Sequence, residues 1–350
     1  MKNKRISFLP IWGKQNETIP IQQMRALRKL GAEAEYGLPG SVFPLSRTCM
    51  AQRPDLISLD WIHQYCLSPG LAASLIKSFL FLLDVLAARY VFRAKLVWTL
   101  HNLRHHDPRP RKTEQWISRF FASNCIKVRI LGEGMEEEIC SYLGVAKSKL
   151  VVIPEGPYAG WYPEGISTDD ARKMLQIPEG NRVWLYLGNL RPYKGVEELI
   201  AAYLKLQPEN TDLIIAGRPW NTEYADFIAE MASGHQGIRL AMKLIPDAEL
   251  QVYFAASDLV VLPFKNVLNS GSALLAMGFS KAVVAPSIGL LPFRLRTQKQ
   301  FLYAPEAGLE SALRNVMSLN RSQLEAIGEA NRQEAMKYSW DDFALFLIHV

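Results

Sequence analysis

Cysteine is scarce in this sequence, with four in 350 residues: Cys49, Cys66, Cys125 and Cys140. No two of them form a CxxC pair, so the sequence predicts neither a zinc site nor a disulfide framework. Scattered free cysteines are typical of proteins in a reducing compartment. We therefore expect a cytoplasmic protein.

Several motifs that would assign the protein to a functional or structural class are also missing. There is no Gly-x-Gly-x-x-Gly between a first strand and helix, which removes the main phosphate-binding device of dehydrogenases. No internal repeat, low-complexity tract or heptad array is present. Residues 1–10 have a basic start but lack the apolar core and cleavage site of a signal peptide, so we expect an ordinary first strand there.

The longest apolar region, residues 71–92, is not free of charge. Lys77, Asp84 and Arg89 interrupt it, and each would be costly at bilayer depth. The pattern therefore favours a core helix over a membrane span, while a membrane-facing surface stays open as an alternative.

Charge is moderate and mixed. The net charge of +6 attracts phosphates or an anionic membrane leaflet, but the charged residues, 21% of the chain, are spread along it and form no basic tail. We expect no nucleic-acid partner.

Apolar strand patterns alternate with helical patterns along most of the chain, which predicts parallel sheets covered by helices on both faces. A stretch rich in Pro, Gly and acidic residues, 158–180, divides the pattern and predicts a linker. The fold class is thus α/β, with two doubly wound Rossmann-like domains facing a cleft, at residues 1–157 and 181–337.

The clearest strand–loop–helix unit lies at residues 183–200. Its strand ends at Gly188, and its loop carries Arg191 and Lys194 ahead of an amphipathic helix. Ligands of open α/β sheets bind at the carboxyl ends of strands, so these two cations beside a helix N-terminus form a candidate diphosphate site. The alternative is a surface turn with two solvated cations.

Polar side chains also follow two strands of the first half. Asp60 and His63 come after one, and His101, His106 and Asp107 come after the other. A histidine titrates near neutrality and a neighbouring carboxylate can hold its tautomer, so His106 backed by Asp107 is a candidate general base, with His101 close by. Asp60 and His63 are candidates for lining an acceptor groove. The alternative for these residues is hydrogen-bonded structure without catalysis.

Five segments together resemble the GT-B glycosyltransferases of the group 1 (family 4) type. Four lie in the second half and one in the first: Tyr-Leu-Gly-Asn-Leu-Arg-Pro-Tyr-Lys-Gly from Tyr186, Asp-Leu-Ile-Ile-Ala-Gly from Asp212, Asp-Leu-Val-Val-Leu-Pro from Asp258, Lys-Ala-Val-Val-Ala from Lys281, and Trp-Thr-Leu-His-Asn from Trp98. The last, followed by His106 and Asp107, is similar to a segment of bacterial exopolysaccharide glycosyltransferases, including β-mannosyltransferase-like members. Tyr338-Ser-Trp340 resembles the start of the family's closing helix, which implies that residues 338–350 return toward the first domain.

The resemblance implies transfer of a sugar from a nucleotide-diphosphate donor, UDP- or GDP-linked, to a hydroxyl of a glycan or lipid-linked acceptor. The donor would bind the second domain, where the positions matching Arg191 and Lys194 hold its phosphates and Gly188 lies alongside, and the acceptor would bind the first. Enzymes of this kind generally need no bound metal, and no cofactor beyond the donor substrate is implied.

Two departures from the family accompany the matches. The two glutamates of retaining members are replaced by Val267 and Leu275, and between these positions Ser270, Gly271 and Ser272 begin a helix whose N–H groups can meet a phosphate. A capped helix without a ligand is the alternative. The usual His-Gly after the last strand of the first domain is Glu155-Gly156, at the expected interdomain cleft.

We therefore predict a cytoplasmic, metal-independent hexosyltransferase of polysaccharide or glycolipid assembly, in peripheral contact with the inner membrane face. Two alternatives remain, a non-catalytic sugar-nucleotide or glycan-binding protein and a nucleotide-sugar epimerase.

Overall fold

The structure, a computed structural model, describes residues 4–10, 18–105 and 111–350. The chain divides into two compact units. Unit 1 comprises Met1–Glu155 with Tyr338–Val350, and unit 2 comprises Gly156–Lys337. Each contains one six-stranded parallel sheet flanked by helices, as the alternating pattern predicts.

The sheet of unit 1 has the strand order β2-β1-β3-β4-β5-β6. Its strands are β1 Arg5–Leu9, β2 Glu33–Tyr36, β3 Leu56–Leu59, β4 Lys95–Thr99, β5 Lys127–Ile130 and β6 Leu150–Val152. Its first six helices are α1 Thr18–Lys29, α2 Pro44–Gln52, α3 His63–Cys66, α4 Leu71–Leu86, α5 Arg111–Asn124 and α6 Glu136–Leu143. A π-helical turn, Ala87–Val91, continues α4, and a 3₁₀ turn, Lys147–Lys149, precedes β6. All residues of β3 are buried, as expected of a central parallel strand covered on both faces.

The sheet of unit 2 has the order β12-β11-β10-β7-β8-β9. Its strands are β7 Arg182–Leu187, β8 Thr211–Ala216, β9 Ile238–Ala241, β10 Leu259–Val261, β11 Ala282–Pro286 and β12 Leu302–Tyr303. Its helices are α7 Thr168–Met174, α8 Val196–Leu206, α9 Thr222–Ala232, α10 Leu250–Ala256, α11 Gly271–Gly278, α12 Leu291–Arg294, α13 Leu309–Met317 and α14 Arg321–Ala335. Three 3₁₀ segments, Pro192–Lys194, Asp247–Glu249 and Arg296–Phe301, complete it.

The last helix, α15 (Trp340–His349), belongs to unit 1. Phe343, Ala344 and Leu347 are buried in one hydrophobic cluster with residues of α1, among them Leu27. The guanidinium of Arg129, on β5, lies 3.8 Å from the centre of the Phe343 ring. Unit 1 therefore contains both ends of the chain.

Residues 158–180, predicted as a linker, group with unit 2. On α7, Ala171 packs against Val252 and Ala256 of α10, and Arg172 pairs with Asp258 at 2.8 Å. These contacts account for the grouping. The sequence pattern also missed short or amphipathic elements, namely β2, α2, α3, α12, β12, α13 and α14.

The predicted core helix at residues 71–92 is only partly a core helix. It buries Ser74, Ser78, Phe81, Asp84 and Val85. Much of its apolar surface is exposed instead, because three of the five buried positions are taken by Ser74, Ser78 and Asp84. Together with the π-turn, Leu71–Val91 is long and apolar enough to cross a membrane, a test that core helices of soluble proteins also pass.

Candidate active site

The loop between β7 and α8 is fixed by direct backbone packing. Gly195 has φ 70° and precedes α8, and a Cβ at this position would lie 2.0 Å from the carbonyl oxygen of Pro263. The N–H of Lys265 donates to the carbonyl of Tyr193 at 2.9 Å. The loop that carries Arg191 and Lys194 is thus held against the segment after β10.

Lys194 lies in partly apolar surroundings. Its ammonium nitrogen is 4.3 Å from the centre of the Phe264 ring and 5.4 Å from that of Tyr193. Burial, and to a smaller extent the charge of Arg191, lower the pKa of Lys194 to about 8. A nearby anion would favour the charged form and reverse both effects.

Arg191 shares this end of the sheet with an aromatic side chain. Its guanidinium carbon lies 5.7 Å from the centre of the Trp220 ring, in the loop after β8. Trp220 and Phe264 did not emerge from the sequence. The signal that could have identified both is an aromatic residue within a few positions of the carboxyl end of a strand.

The start of α11 meets the end of β7. Ser270 is buried, and its hydroxyl accepts the N–H of Ala273 at 3.2 Å, which caps the helix as predicted. A Cβ on Gly188 would lie 3.1 Å from the hydroxyl oxygen of Ser272. The structure therefore brings Gly188 and Ser272 together, with Gly271 exposed between the two serines.

The two positions without glutamate hold apolar side chains that are buried or half-buried. Val267 is buried, and its carbonyl oxygen would lie 2.2 Å from a Cβ on Gly289. Leu275 is half-buried on α11. Both side chains act in packing and supply no carboxylate.

In unit 1, three predicted residues form one buried cluster at the carboxyl ends of β3, β4 and β6. The Nε2 atom of His101 lies 3.1 Å from Asp60 Oδ1, and its Nδ1 atom lies 3.8 Å from Glu155 Oε1. The ring of Trp61 stacks on His101 at 3.7 Å. A carboxylate therefore lies near each ring nitrogen of His101, and Asp60 is within hydrogen-bonding distance of it.

His63 is paired separately. Its Nε2 atom lies 3.2 Å from Glu114 Oε1, and Glu114 also accepts the backbone N–H of His105. Burial alone would raise the pKa of Glu114, but the hydrogen bonds from His63 and His105 outweigh it and leave that pKa below its usual value. The rings of His63 and His105 meet edge to face at 5.5 Å.

Two predicted catalytic residues, His106 and Asp107, lie outside the described residues. Glu155 is the last residue of the first segment of unit 1, and Gly156 is the first of unit 2. Within the described ranges, no group of three or more His, Cys, Asp or Glu side chains is arranged to hold a metal ion.

The chain is similar to known proteins both in sequence and in fold. The family described as glycosyl transferases group 1 matches residues 181–319, from just before β7 to just after α13. A GDP-mannose:glycolipid 4-beta-D-mannosyltransferase of Xanthomonas campestris is 26% identical over 263 residues, which cover 71% of this chain and 67% of that protein. Sucrose-phosphate synthase from Thermosynechococcus elongatus superposes with a TM-score of 0.75 at 16% identity, covering 99% of this chain and 98% of its own. The chain is a glycosyltransferase with the GT-B fold.

Other similar proteins agree with this family and fold. A D-inositol 3-phosphate glycosyltransferase of Corynebacterium urealyticum is 25% identical over 311 residues, covering 84% of this glycosyltransferase and 71% of the relative. Anabaena HepE, solved in complex with UDP and glucose, superposes with a TM-score of 0.74 at 16% identity, covering 99% and 98% of the two chains. The predicted family, fold class and glycosyltransferase function are confirmed.

Proposed function

We propose that Arg191 and Lys194 of this glycosyltransferase bind the diphosphate of a UDP- or GDP-linked sugar. The observation that carries the proposal is the meeting of the β7–α8 loop and the α11 N-terminus, where a Cβ on Gly188 would lie 3.1 Å from the Ser272 hydroxyl. Two cations on the loop and the first N–H groups of a helix then share one end of the sheet, an arrangement that suits a polyanion.

Charge stabilisation is the chemical role of this site. When the bond from the anomeric carbon to the donor phosphate breaks, the nucleoside diphosphate leaves with added negative charge. The guanidinium of Arg191 and the ammonium of Lys194 offset that charge in partly desolvated surroundings. Since two fixed cations fill the role that a divalent ion otherwise fills, we infer a transfer of a hexose that needs no bound metal.

For the acceptor, the proposal is a hydroxyl on a glycan or lipid-linked sugar. It is supported by the similarity to a mannosyltransferase named for a glycolipid substrate. His106 is proposed as the general base that takes the hydroxyl proton, with Asp107 holding its tautomer, as the acceptor oxygen bonds to the anomeric carbon. His101, held between Asp60 and Glu155, acts as a positioning residue, and Asp60 and His63 belong to the acceptor side.

The proposed location is the cytoplasm, with peripheral contact to the inner membrane face, where lipid-linked acceptors are available. The net charge of +6 and the exposed apolar surface of α4 support this placement.

A transfer assay tests the function. The protein is incubated with UDP- and GDP-linked hexoses labelled in the sugar, with a bacterial lipid extract as acceptor, in the presence and absence of EDTA. We expect one donor to pass its label to the organic phase, with equal rates in both conditions. Donor isomerised without acceptor would indicate an epimerase, binding without turnover would indicate a sugar-nucleotide-binding protein, and a rate abolished by EDTA would contradict metal independence.

The base assignment has its own test. His106→Gln should lower turnover by about 10²-fold or more, because no group then accepts the proton, while donor affinity stays unchanged. His235→Gln, a histidine of unit 2 after α9, is the matched control. Unchanged turnover in His106→Gln would show that another group is the base.

A further inference from the structure

Helix α4 buries all three of its inward polar side chains together with Phe81 and Val85, and it leaves many of its large apolar side chains exposed. The buried polar side chains all have partners in unit 1: Ser74 binds Ser68 at 2.7 Å, Ser78 donates to the Cys66 carbonyl at 2.8 Å, and Asp84 accepts the N–H groups of Leu45 and Ser46 at 2.8 Å each. Asp84 thereby caps the start of α2. The inner side of the helix is committed to the fold, and the apolar side faces out.

That outward side is a continuous stripe. Eight large apolar residues make up what we name the α4 apolar face: Leu71, Leu75, Ile76, Phe79, Leu83, Tyr90, Val91 and Phe92. Ile76 and Phe79 are 62% and 59% exposed. Most of these positions recur at three- and four-residue spacing, so they share one side of the helix. A contiguous apolar surface of this kind on a folded unit marks an interaction site rather than scattered exposure.

The chain segment that contains this face is strongly basic. Residues 61–132 contain eleven Lys or Arg and three Asp or Glu, a net charge of +8, which exceeds the +6 of the whole chain. Two of the three acids, Asp84 and Glu114, are buried, and the third, Asp107, lies outside the described residues. The described exposed charges of this segment are therefore all basic.

On α5, which packs against α4, basic and aromatic groups share one side. Lys112 and Trp116, four residues apart, are both exposed, and Trp116 stacks loosely on Phe120 at 6.4 Å. Apolar side chains with neighbouring Lys, Arg and Trp fit an interface between acyl chains and anionic headgroups.

We propose that the α4 apolar face and its basic surroundings dock unit 1 in the plane of an anionic membrane leaflet. A second copy of the chain is a poorer occupant, because pairing would bring together two surfaces whose described exposed charges in this segment are all basic. A transmembrane span is a poorer one still, because it would strip Ser74, Ser78 and Asp84 of their partners and carry a carboxylate into hydrocarbon. The inference extends the proposed function, since docking brings the enzyme to a lipid-linked acceptor.

Vesicle sedimentation of the full chain tests the proposal. The probe is vesicles of phosphatidylcholine alone or with 40 mol % phosphatidylglycerol, at about 0.1 M and 0.5 M salt, which span strong and weak screening. The variant Ile76→Ser/Phe79→Ser removes apolar area without touching the buried polar contacts. The control, Phe227→Ser/Leu345→Ser, removes apolar side chains that are 45% and 43% exposed on α9 and α15.

We expect the native chain and the control to bind the anionic vesicles, with the α4 variant weakened by roughly tenfold or more. Binding should also weaken at high salt and without phosphatidylglycerol. Equal binding by the α4 variant, no native binding, or a native dimer that the α4 variant abolishes would overturn the proposal. Resistance of the cell-membrane fraction to alkaline carbonate would show a span and would equally overturn it.

Donor binding separates this inference from the proposed function. The thermal shift produced by the nucleotide sugar should be the same in native protein and in the α4 variant. Because the proposed donor site lies in unit 2, folding of unit 1 is checked separately, by an unfolding transition of the ligand-free variant that matches the native one. A variant that binds donor but not vesicles supports docking, whereas a native chain that binds vesicles but no donor contradicts the proposed function alone.

Discussion

At Lys194 the protein holds an ammonium group against the ring of Phe264, beside a second cation, Arg191. The charged form of Lys194 is disfavoured there in the absence of a ligand and favoured when an anion is bound. Arg191 and Lys194 could be picked out from the sequence because both follow a strand ending in glycine. The depressed pKa could not, because it depends on burial in the folded chain, where the ring beside the ammonium is that of Phe264, 70 residues away in the sequence.

The pH dependence of donor binding follows from this pKa. Free Lys194 has a pKa of about 8, and a bound diphosphate raises that pKa. Affinity should therefore be level below pH 8 and fall above it, by up to about tenfold per pH unit, as deprotonated Lys194 must take up a proton to bind. Calorimetric titration of the donor at pH values from 6 to 9.5 measures this pH dependence of affinity.

Lys194→Arg supplies the control, since a guanidinium stays charged throughout this range. Its affinity should show no such fall. An identical decline in both proteins would assign the titration to another group.

At the scale of single elements, the loop before α8 depends on one glycine. Gly195→Ala forces a side chain into a left-handed backbone position, φ 70°, and against the Pro263 carbonyl, 2.0 Å from the new Cβ. We expect a loss of roughly 2 kcal/mol or more in the free energy of unfolding of unit 2, together with weaker donor binding.

Gly180→Ala is the matched control. Its φ is 84°, but no atom lies within 4 Å of a Cβ there, so it reports backbone strain alone. Urea unfolding of the two variants should differ by the cost of the clash. Equal losses in the free energy of unfolding would mean that the loop shifts to accommodate the new Cβ at little cost.

Sequence pattern predicted elements better than it predicted their surroundings. The β7–α8 unit was clear because an apolar run, Gly188 and an amphipathic helix follow each other directly. In α4, apolar residues lie on all sides, so periodicity gave no direction, and the buried side proved to carry Ser74, Ser78 and Asp84. The cluster of Asp60, His101 and Glu155 was foreseen only as polar strand ends, because the stacking of Trp61 and the pairing distances depend on packing.

At the scale of the whole molecule, unit 1 depends on the C-terminal segment. Deleting residues 338–350 removes α15 and exposes the partners of Phe343, Ala344 and Leu347. The expected cost to unit 1 is about 4–6 kcal/mol, from the loss of one buried Phe and one buried Leu together with smaller contacts. Donor binding by unit 2 should survive.

Two measurements check this deletion. Thermal unfolding should show a separate transition of unit 1 at lower temperature, and the donor should still raise the temperature of the later transition, that of unit 2. The control is Leu345→Ser, which changes a side chain of α15 that is 43% exposed. A single unchanged transition after the deletion would contradict the division into units.

The central claim is that Arg191 and Lys194 bind the donor diphosphate. Its most direct test is calorimetric titration of UDP- and GDP-sugars into the native chain, into Arg191→Ala/Lys194→Ala, and into Lys205→Ala/Lys243→Ala. The last pair removes two exposed cations of unit 2 that are bound to Glu310 and Glu249, so it matches the change in charge. We predict that one donor binds the native chain and the control alike and that the first variant loses about 10²-fold or more in affinity. Equal affinity in all three proteins would contradict the account.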